Sequence, residues 1–509
     1  MPKPILAYLE QFRTPADINR HHFTRVAEII ENLLSIAREK RREPIPDAIT
    51  IARKFRDIGA PMEAYKLLKA ESDYYGDNNS IEKWRCRFFA YGVVNIGHPT
   101  ESIRLELEAH VRVLRKSDQL MCFLPLFLNF IGNIEHVYKE RYDRAEQLYS
   151  DAQQLIKKIT SKNKFKSTTG LDYDLAVNMI MNNYVELLTH IDRNKLQDKD
   201  LVTMLRVLAR RTRQNEYGHL LFRINMARAD ISRGDLTNAS AIVDEIIKYT
   251  PDKYSRHSLP AVNKIKALIH TEKGEITEGV RYALDAFSNS AYYGNSLEET
   301  DILFTLLNIF KELSKDIKKN AKIDFFRNSG LIDAFIRILS YKDWHLGAEH
   351  SINVAHLARL ITEQLHFSES NKQLINLASL LHDVGKIMIP WYTLNKVTPL
   401  DDLDWELFRD HTIEGCRILK KLGLDAEAEI VLRHHERIDG SGYPHGITNP
   451  SIKAQIIALS DVFDAATSTG RRYRDAKSTR EMVSEIERKE GHRFHPTVVK
   501  GLKKAISFL

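Results

Sequence analysis

Cysteine is scarce in this sequence. Only Cys86, Cys122 and Cys416 occur in 509 residues, far apart and in no metal-ligand spacing. That argues against a disulfide framework and suits free thiols in a reducing cytoplasm. Long apolar runs are also missing. The stretch Leu120 to Leu128 is interrupted by Pro125 and closed by Asn129, well short of the roughly 20 residues that cross a bilayer, so we expect a buried helix there and no membrane span. Met1-Pro2-Lys3-Pro4 leads into Glu10 and Arg13 without the apolar core of an export signal, and a cytoplasmic protein is expected.

Charge of one sign is not in great excess either. Lys and Arg total 75 against 68 Asp and Glu, and both signs are interspersed, so the net +7 reads as solubility and no nucleic-acid partner is expected. The cluster Arg210-Arg211-Thr212-Arg213 reads as a solvated helix face rather than a docking patch. Three chemical signatures are absent: the phosphate-cradling Gly-rich lysine loop, the Gly-x-Ser-x-Gly elbow and the dinucleotide fingerprint.

Helical periodicity is present throughout, with no sustained period-2 alternation, so an all-α protein is expected. Within residues 1–325 a short signature recurs: Gly59 to Ala64, Gly97 to Ser102, Glu140 to Ala145, Gly234 to Ala239 and Gly274 to Gly279. Each reads as a helix end, a turn, a helix start and a small residue that lets a neighbouring helix approach. The repeat of about 40 residues, with one double gap, predicts stacked helical hairpins. These units resemble tetratricopeptide repeats, although the period exceeds the usual one. The resemblance implies a solenoid with a surface for a protein or peptide partner; the plainer reading is a spacer or dimerisation element. A Lys-rich stretch from Lys315 to Lys322 marks a junction, and residues 326–509 are expected to form a second helical domain.

That second domain carries the chemistry. His350, His382-Asp383, His411, His434-His435 and Asp461 are seven candidate ligands recurring at intervals of roughly 25 to 30 residues in helix-like segments, a layout that predicts a metal site. Val354, Leu357, Ile361 and Leu365 recur at helical spacing and place His350 at the buried start of a helix. His356, about 240° further round, reads as an ordinary histidine. The apolar helix through Leu380-Leu381 is expected to deliver His382 and Asp383 before Gly385 ends or loosens it. A carboxylate has two oxygens, so Asp383 can bridge two cations. Lys386 follows by three residues and would sit where an anionic phosphate binds. Phe408, His411, Gly415 and Ile418 share one helix face, and a buried imidazole there needs a partner. His434 and His435 can face one cluster only if it is as wide as a metal pair. Mixed His and carboxylate donors without cysteine favour Fe, Mn or Zn over Mg or Ca, and two cations suit hydrolysis at phosphorus.

The order His382-Asp383-x-Gly385-Lys386, His411-x-x-x-Gly415 and His434-His435-Glu436-x-x-Asp439-Gly440-x-Gly442-Tyr443-Pro444 resembles the HD-GYP phosphodiesterases of bacteria. The resemblance implies an all-helical domain that hydrolyses cyclic di-GMP to pGpG or GMP with two divalent metals, Fe or Mn. It implies that His350, His382, Asp383 and Asp461 hold one metal, and that Asp383 bridges to a second held by His411, His434 and His435. Asp383 and Lys386 would be catalytic, Lys386 and Tyr443 would contact substrate phosphate, and Arg471 or Arg474 would grip the nucleotide. Asp439, Gly440 and Gly442 would shape the loop. Leu346 stands where some members carry a third-metal Glu, which favours two metals. Arg471-Arg472-Tyr473-Arg474 and Phe494-His495-Pro496 depart from the usual Arg-Pro-Tyr-Arg and Phe-Asp-Pro. Two other readings compete: a module that binds cyclic di-GMP without turnover, and a hydrolase of another cyclic dinucleotide or phosphoester. A homodimer is compatible with each.

Overall fold

The computed structural model describes residues 7–12, 17–18, 20–39, 43–76, 80–95, 99–191, 216–249, 252–293, 296–314, 325–326, 330–344, 347–468 and 476–507. Among them there is no strand, and no helix is long and apolar enough to cross a membrane. The cluster Arg210 to Arg213, Gly97, Leu346, Arg471, Arg474 and the stretch Lys315 to Lys322 lie outside the described residues. Contacts divide the chain into Met1–Leu306 and Leu307–Leu509.

The first unit runs α1 (Arg20–Arg38), α2 (Ala48–Asp57), α3 (Pro61–Tyr74), α4 (Ile81–Asn95), α5 (Glu101–Leu114), α6 (Leu124–Asn133), α7 (Tyr142–Lys157), α8 (Lys162–Thr169), α9 (Tyr173–Ile191), α10 (Glu216–Ser232), α11 (Leu236–Tyr249), α12 (Asp252–Glu272) and α13 (Ile276–Tyr293). The unit boundary falls inside α14 (Ser296–Ser314). Neighbours in sequence pack in pairs, α2 on α3, α6 on α7, α10 on α11 and α12 on α13. The turns follow from the recurring signature. Gly234 and Gly274 close α10 and α12 with φ of 78° and 77°, a left-handed conformation that glycine adopts without Cβ strain. Glu140 takes φ 53° at the equivalent place.

The small residues behave as expected where they are buried. Ala64, Ala145 and Ala239 are inaccessible, and a Cβ on Gly279 would fall 2.6 Å from Thr271 Oγ1 on α12. Ser102 differs: it is exposed, and Ile103 beside it is buried. Apolar side chains at spacings of three and four, Leu220, Ile224, Ala227 and Ile231 on α10, meet Ile242, Val243 and Ile246 on α11 and Val262, Ile265 and Ile269 on α12, the stripe an amphipathic helix buries. Pro125 does not interrupt a helix. It lies in the first turn of α6, where its missing N–H would have been unpaired in any case.

The second unit continues with α15 (Leu331–Lys342), α16 (Gly347–Gln364), α17 (Glu369–Leu380), α18 (Trp391–Asn395), α19 (Asp402–Lys421), α20 (Asp425–Leu432), α21 (Ile452–Thr467), α22 (Thr479–Glu485) and α23 (Pro496–Ile506). Helix α16 is central, packing on α17, α21 and α23. Its Val354, Leu357, Ala358 and Ile361 are buried. Two starts are set by capping. Asp401 accepts from Asp404 N while the Asp404 carboxylate accepts from Asp401 N, and Ser451 accepts from Ala454 N at the head of α21; such caps contribute about 1 kcal/mol each.

Candidate metal centre

Five segments of the second unit converge on one buried pocket of donors. His350 projects from the first turn of α16 and is 3% exposed. His382 and Asp383 are not on a helix: α17 ends at Leu380, and the pair occupies the turn before a short 3₁₀ segment, Val384–Met388. The reason is tertiary. Gly385 does not break a helix there. Its backbone lies against α19, and a Cβ would fall 1.9 Å from His411 O and 2.5 Å from Gly415 N. The room that Gly415 leaves is filled by Val431 Cγ1 and by the Gly385 backbone N, 3.0 Å and 3.4 Å from where a Cβ would stand. His434 and His435 likewise sit in the turn after α20, which lets both rings face the centre with centroids 4.1 Å apart. Asp461 comes from the middle of α21.

The donors form two groups. Ligand atoms of Asp383, His411, His434 and His435 lie within 4.8 Å of one another, and so do those of His350, His382 and Asp461. Asp383 faces both. Its Oδ1 is 3.5 Å from His411 Nε2, and its Oδ2 is 3.3 Å from His382 Nε2 and 3.8 Å from His350 Nε2. Lys386 Nζ donates to the same Oδ2 at 2.7 Å. Tyr443 stacks on His435 at 4.6 Å with a 27° interplanar angle.

Hydrogen bonds fix how the imidazoles present themselves. Nδ1 of His382, His411 and His434 each meets the carbonyl three residues earlier, Ser379 O at 2.8 Å, Phe408 O, and Val431 O at 2.6 Å. A carbonyl only accepts, so each Nδ1 carries the proton, and in the neutral ring Nε2 is a bare lone pair turned inward. His382 Nε2 is fully buried and has no hydrogen-bond partner among the described residues. His411 Nε2 and His434 Nε2 face each other at 3.3 Å. Buried lone pairs opposed in this way, beside carboxylate oxygens, fit a cation between them, so the residues present suit a metal.

The electrostatics agree. Burial lowers His411 to about 4 and His434 to about 3, and it holds His435 well below its ordinary value with help from its imidazole neighbours. Burial opposes ionisation of Asp383 and Asp461, yet His382 and Lys386 around the first and His350 beside the second hold both well below the carboxylate range. Burial likewise opposes a charged His350, but Asp461 and Asp464 outweigh it and raise that ring to about 9. The site therefore offers ionised carboxylates and, at His411, His434 and His435, neutral imidazoles, the protonation states that metal binding requires, while His350 carries a proton that a bound metal would displace.

Two residues to which the sequence reading gives no role support the donors. Asp464 Oδ2 lies 2.6 Å from His350 Nδ1. Its spacing from Asp461, three residues on one helix, was the available clue. Glu436 is fully buried and accepts from His445 N at 2.7 Å and Ile447 N at 3.0 Å, which closes the loop that carries Tyr443. Asp439 accepts from Ser441 N and Oγ, and a Cβ on Gly442 would meet backbone atoms of His435, Glu436 and Arg437 at 2.5 Å. His356 is exposed on α16, away from the donors.

Residues 333–498 match the HD domain family model. Among curated proteins, the chain is 34% identical over 181 residues to a cyclic di-GMP phosphodiesterase response regulator of Xanthomonas campestris, covering 35% of this chain and 47% of that protein. It is 39% identical over 160 residues to a cyclic di-GMP phosphodiesterase of Thermotoga maritima, covering 30% and 43%, and 33% identical over 182 residues to a 3'3'-cGAMP-specific phosphodiesterase of Vibrio cholerae, covering 35% and 39%. The chain thus spans less than half the length of these relatives. The matched part of this chain is thus similar to HD domains and to cyclic-dinucleotide phosphodiesterases, and it contains the Gly442-Tyr443-Pro444 loop.

Proposed function

We propose that this chain is a cytoplasmic phosphodiesterase that hydrolyses cyclic di-GMP to pGpG, GMP or both, using two divalent metals, Fe or Mn. The observation that carries the reading is Asp383, whose two oxygens face two separate groups of buried donors. On this reading His350, His382, Asp383 and Asp461 hold one metal, while Asp383, His411, His434 and His435 hold the other. Such a pair supplies Lewis acidity to both the attacking and leaving oxygens of an in-line displacement.

The chain's own residues do the rest. Lys386, held against Asp383 Oδ2 and kept charged above the usual lysine value by Asp383 and Asp343 despite burial, places an ammonium where a phosphate oxygen arrives. Tyr443, stacked on His435, makes a second phosphate contact. Arg471 or Arg474 helps to grip the nucleotide. The N-terminal helices receive a protein or peptide partner and control access to the site, and a homodimer is compatible with that arrangement.

A second reading keeps the chemistry and changes the base. The similarity to 3'3'-cGAMP-specific relatives favours testing that substrate beside cyclic di-GMP. The deciding experiment is anaerobic purification, Fe and Mn analysis, and chromatography of both dinucleotides with the wild type and Asp383→Ala. About two metals per chain with product that vanishes in the variant supports the reading; bound metal and bound nucleotide without product favours a sensor.

A further inference from the structure

His350 differs from the other inward-turned imidazoles. His382, His411 and His434 anchor Nδ1 on a neutral backbone carbonyl of their own turn. His350 anchors Nδ1 on a carboxylate 114 residues away, Asp464 Oδ2 at 2.6 Å. Asp464 is 7% exposed and His350 3%, so this bond is shielded from water and its geometry matters. Asp464 is itself held, because its Oδ1 accepts from Ser468 Oγ at 2.9 Å.

Asp461 and Asp464 are one turn apart on α21 and therefore share a face. That face grips both nitrogens of one ring: Asp461 Oδ1 is 3.2 Å from Nε2, and Asp464 Oδ2 meets Nδ1. The two carboxylates cannot have the same role. Asp461 belongs to the donor group of His350 and His382, whereas Asp464 stands on the far side of the ring. A free imidazole exchanges its proton between two similar nitrogens, and a carboxylate bonded to one of them selects the tautomer and makes the opposite nitrogen a better donor.

We propose that Asp464 is a positioning residue that holds the proton of His350 on Nδ1 and so reserves Nε2 for a metal shared with His382 and Asp461. The inference rests on the two-metal reading above. Its consequence is selective: Asp464 governs occupancy of the group containing His350 and leaves the group containing His411, His434 and His435 alone.

The test is anaerobic equilibrium dialysis of the full chain against Mn²⁺ alone, with the wild type, Asp464→Ala, Asp464→Asn, His350→Gln and the double variant Asp464→Ala/His350→Gln. The wild type is expected to take up two ions. Asp464→Ala should weaken one of the two by about 10- to 100-fold, the usual effect of losing a carboxylate behind a ligating imidazole, without changing the other. Asp464→Asn should fall between, since its amide oxygen still accepts from Nδ1–H without the charge. Asp464→Ala should add nothing once His350 is replaced, because it acts through that ring. Two sites of wild-type affinity in Asp464→Ala, or equal weakening of both, overturns the inference while leaving the two-metal reading intact. A wild type that binds no Mn²⁺ overturns the two-metal reading first. If Asp464→Ala does not fold, Asp464→Asn carries the comparison, and identity with wild type at both sites overturns the inference.

Discussion

His411 and His434 turn their Nε2 atoms toward each other at 3.3 Å, each ring already donating from Nδ1 to a carbonyl of its own turn. Two lone pairs at that distance repel, and the arrangement is favourable only with a positive charge nearby.

The first prediction concerns acid. Burial places His411 at about 4 and His434 at about 3 in the folded chain, below the value near 6.5 of an unfolded imidazole. As pH falls, the unfolded chain binds protons first. The stability these neutral rings contribute is complete above about pH 6.5 and is lost progressively toward pH 4. The unfolding temperature of metal-free protein should drop across that window, and His411→Asn/His434→Asn should flatten the drop. Equal slopes for the two proteins would refute the assignment of neutral rings.

Asp383→Ala is expected to lower metal content and reduce hydrolysis by about 10³-fold, with circular dichroism unchanged. Lys386→Met should keep the metals and lose about 10²-fold in kcat/KM, since it removes a phosphate contact rather than a ligand. Wild-type turnover in Asp383→Ala would overturn the metal assignment; loss of metal in Lys386→Met would mean that the lysine maintains the site.

Packing at the 3₁₀ segment predicts a sharp contrast between two glycines. A Cβ on Gly385 meets backbone, His411 O at 1.9 Å, whereas one on Gly415 first meets a side-chain methyl, Val431 Cγ1 at 3.0 Å. Gly385→Ala should cost about 3 kcal/mol or more in urea unfolding, and Gly415→Ala about 1 kcal/mol. Equal midpoints for the two would show that the segment is free to shift.

Glu436→Gln should loosen the Tyr443 loop. The carboxylate accepts from two backbone N–H groups, and an amide can accept only on its oxygen, leaving one buried donor unsatisfied at a cost of about 2 kcal/mol. Faster proteolysis between residues 439 and 447 is the expected result, and cleavage at the wild-type rate would exclude a role for Glu436 in closing the loop.

Much of the second unit was legible because its signals are local. Apolar spacing marked α16 and the buried His350, and the helical period showed that His356 could not share its direction. The errors arose where tertiary contact decided. Gly385 read as a helix breaker after an apolar run, yet α17 has already ended at Leu380 and the glycine serves a backbone-to-backbone approach to α19. Pro125 read as an interruption but opens α6. Asp464 and Glu436 receive no role from the sequence reading, although one lies a helical turn from Asp461 and the other inside the His434-His435-Glu436 motif. Each is an ordinary acidic residue in sequence, and the partner that gives Asp464 its meaning, His350, is 114 residues away. In the first unit the turn signature was readable at each described repeat, but the exposure of Ser102 depends on how α5 is rotated, which a turn motif does not specify.

Three imidazoles take their aim from a carbonyl only three residues upstream. Their orientation is therefore set when each turn forms, independently of the other segments. An ion entering such a cluster restricts few rotamers that folding has not already restricted, so its capture should proceed with little entropic resistance and little rearrangement. Substitutions in the distant helices can then drift without spoiling those three vectors, whereas His350, steered from another helix, registers any slippage of α21 against α16.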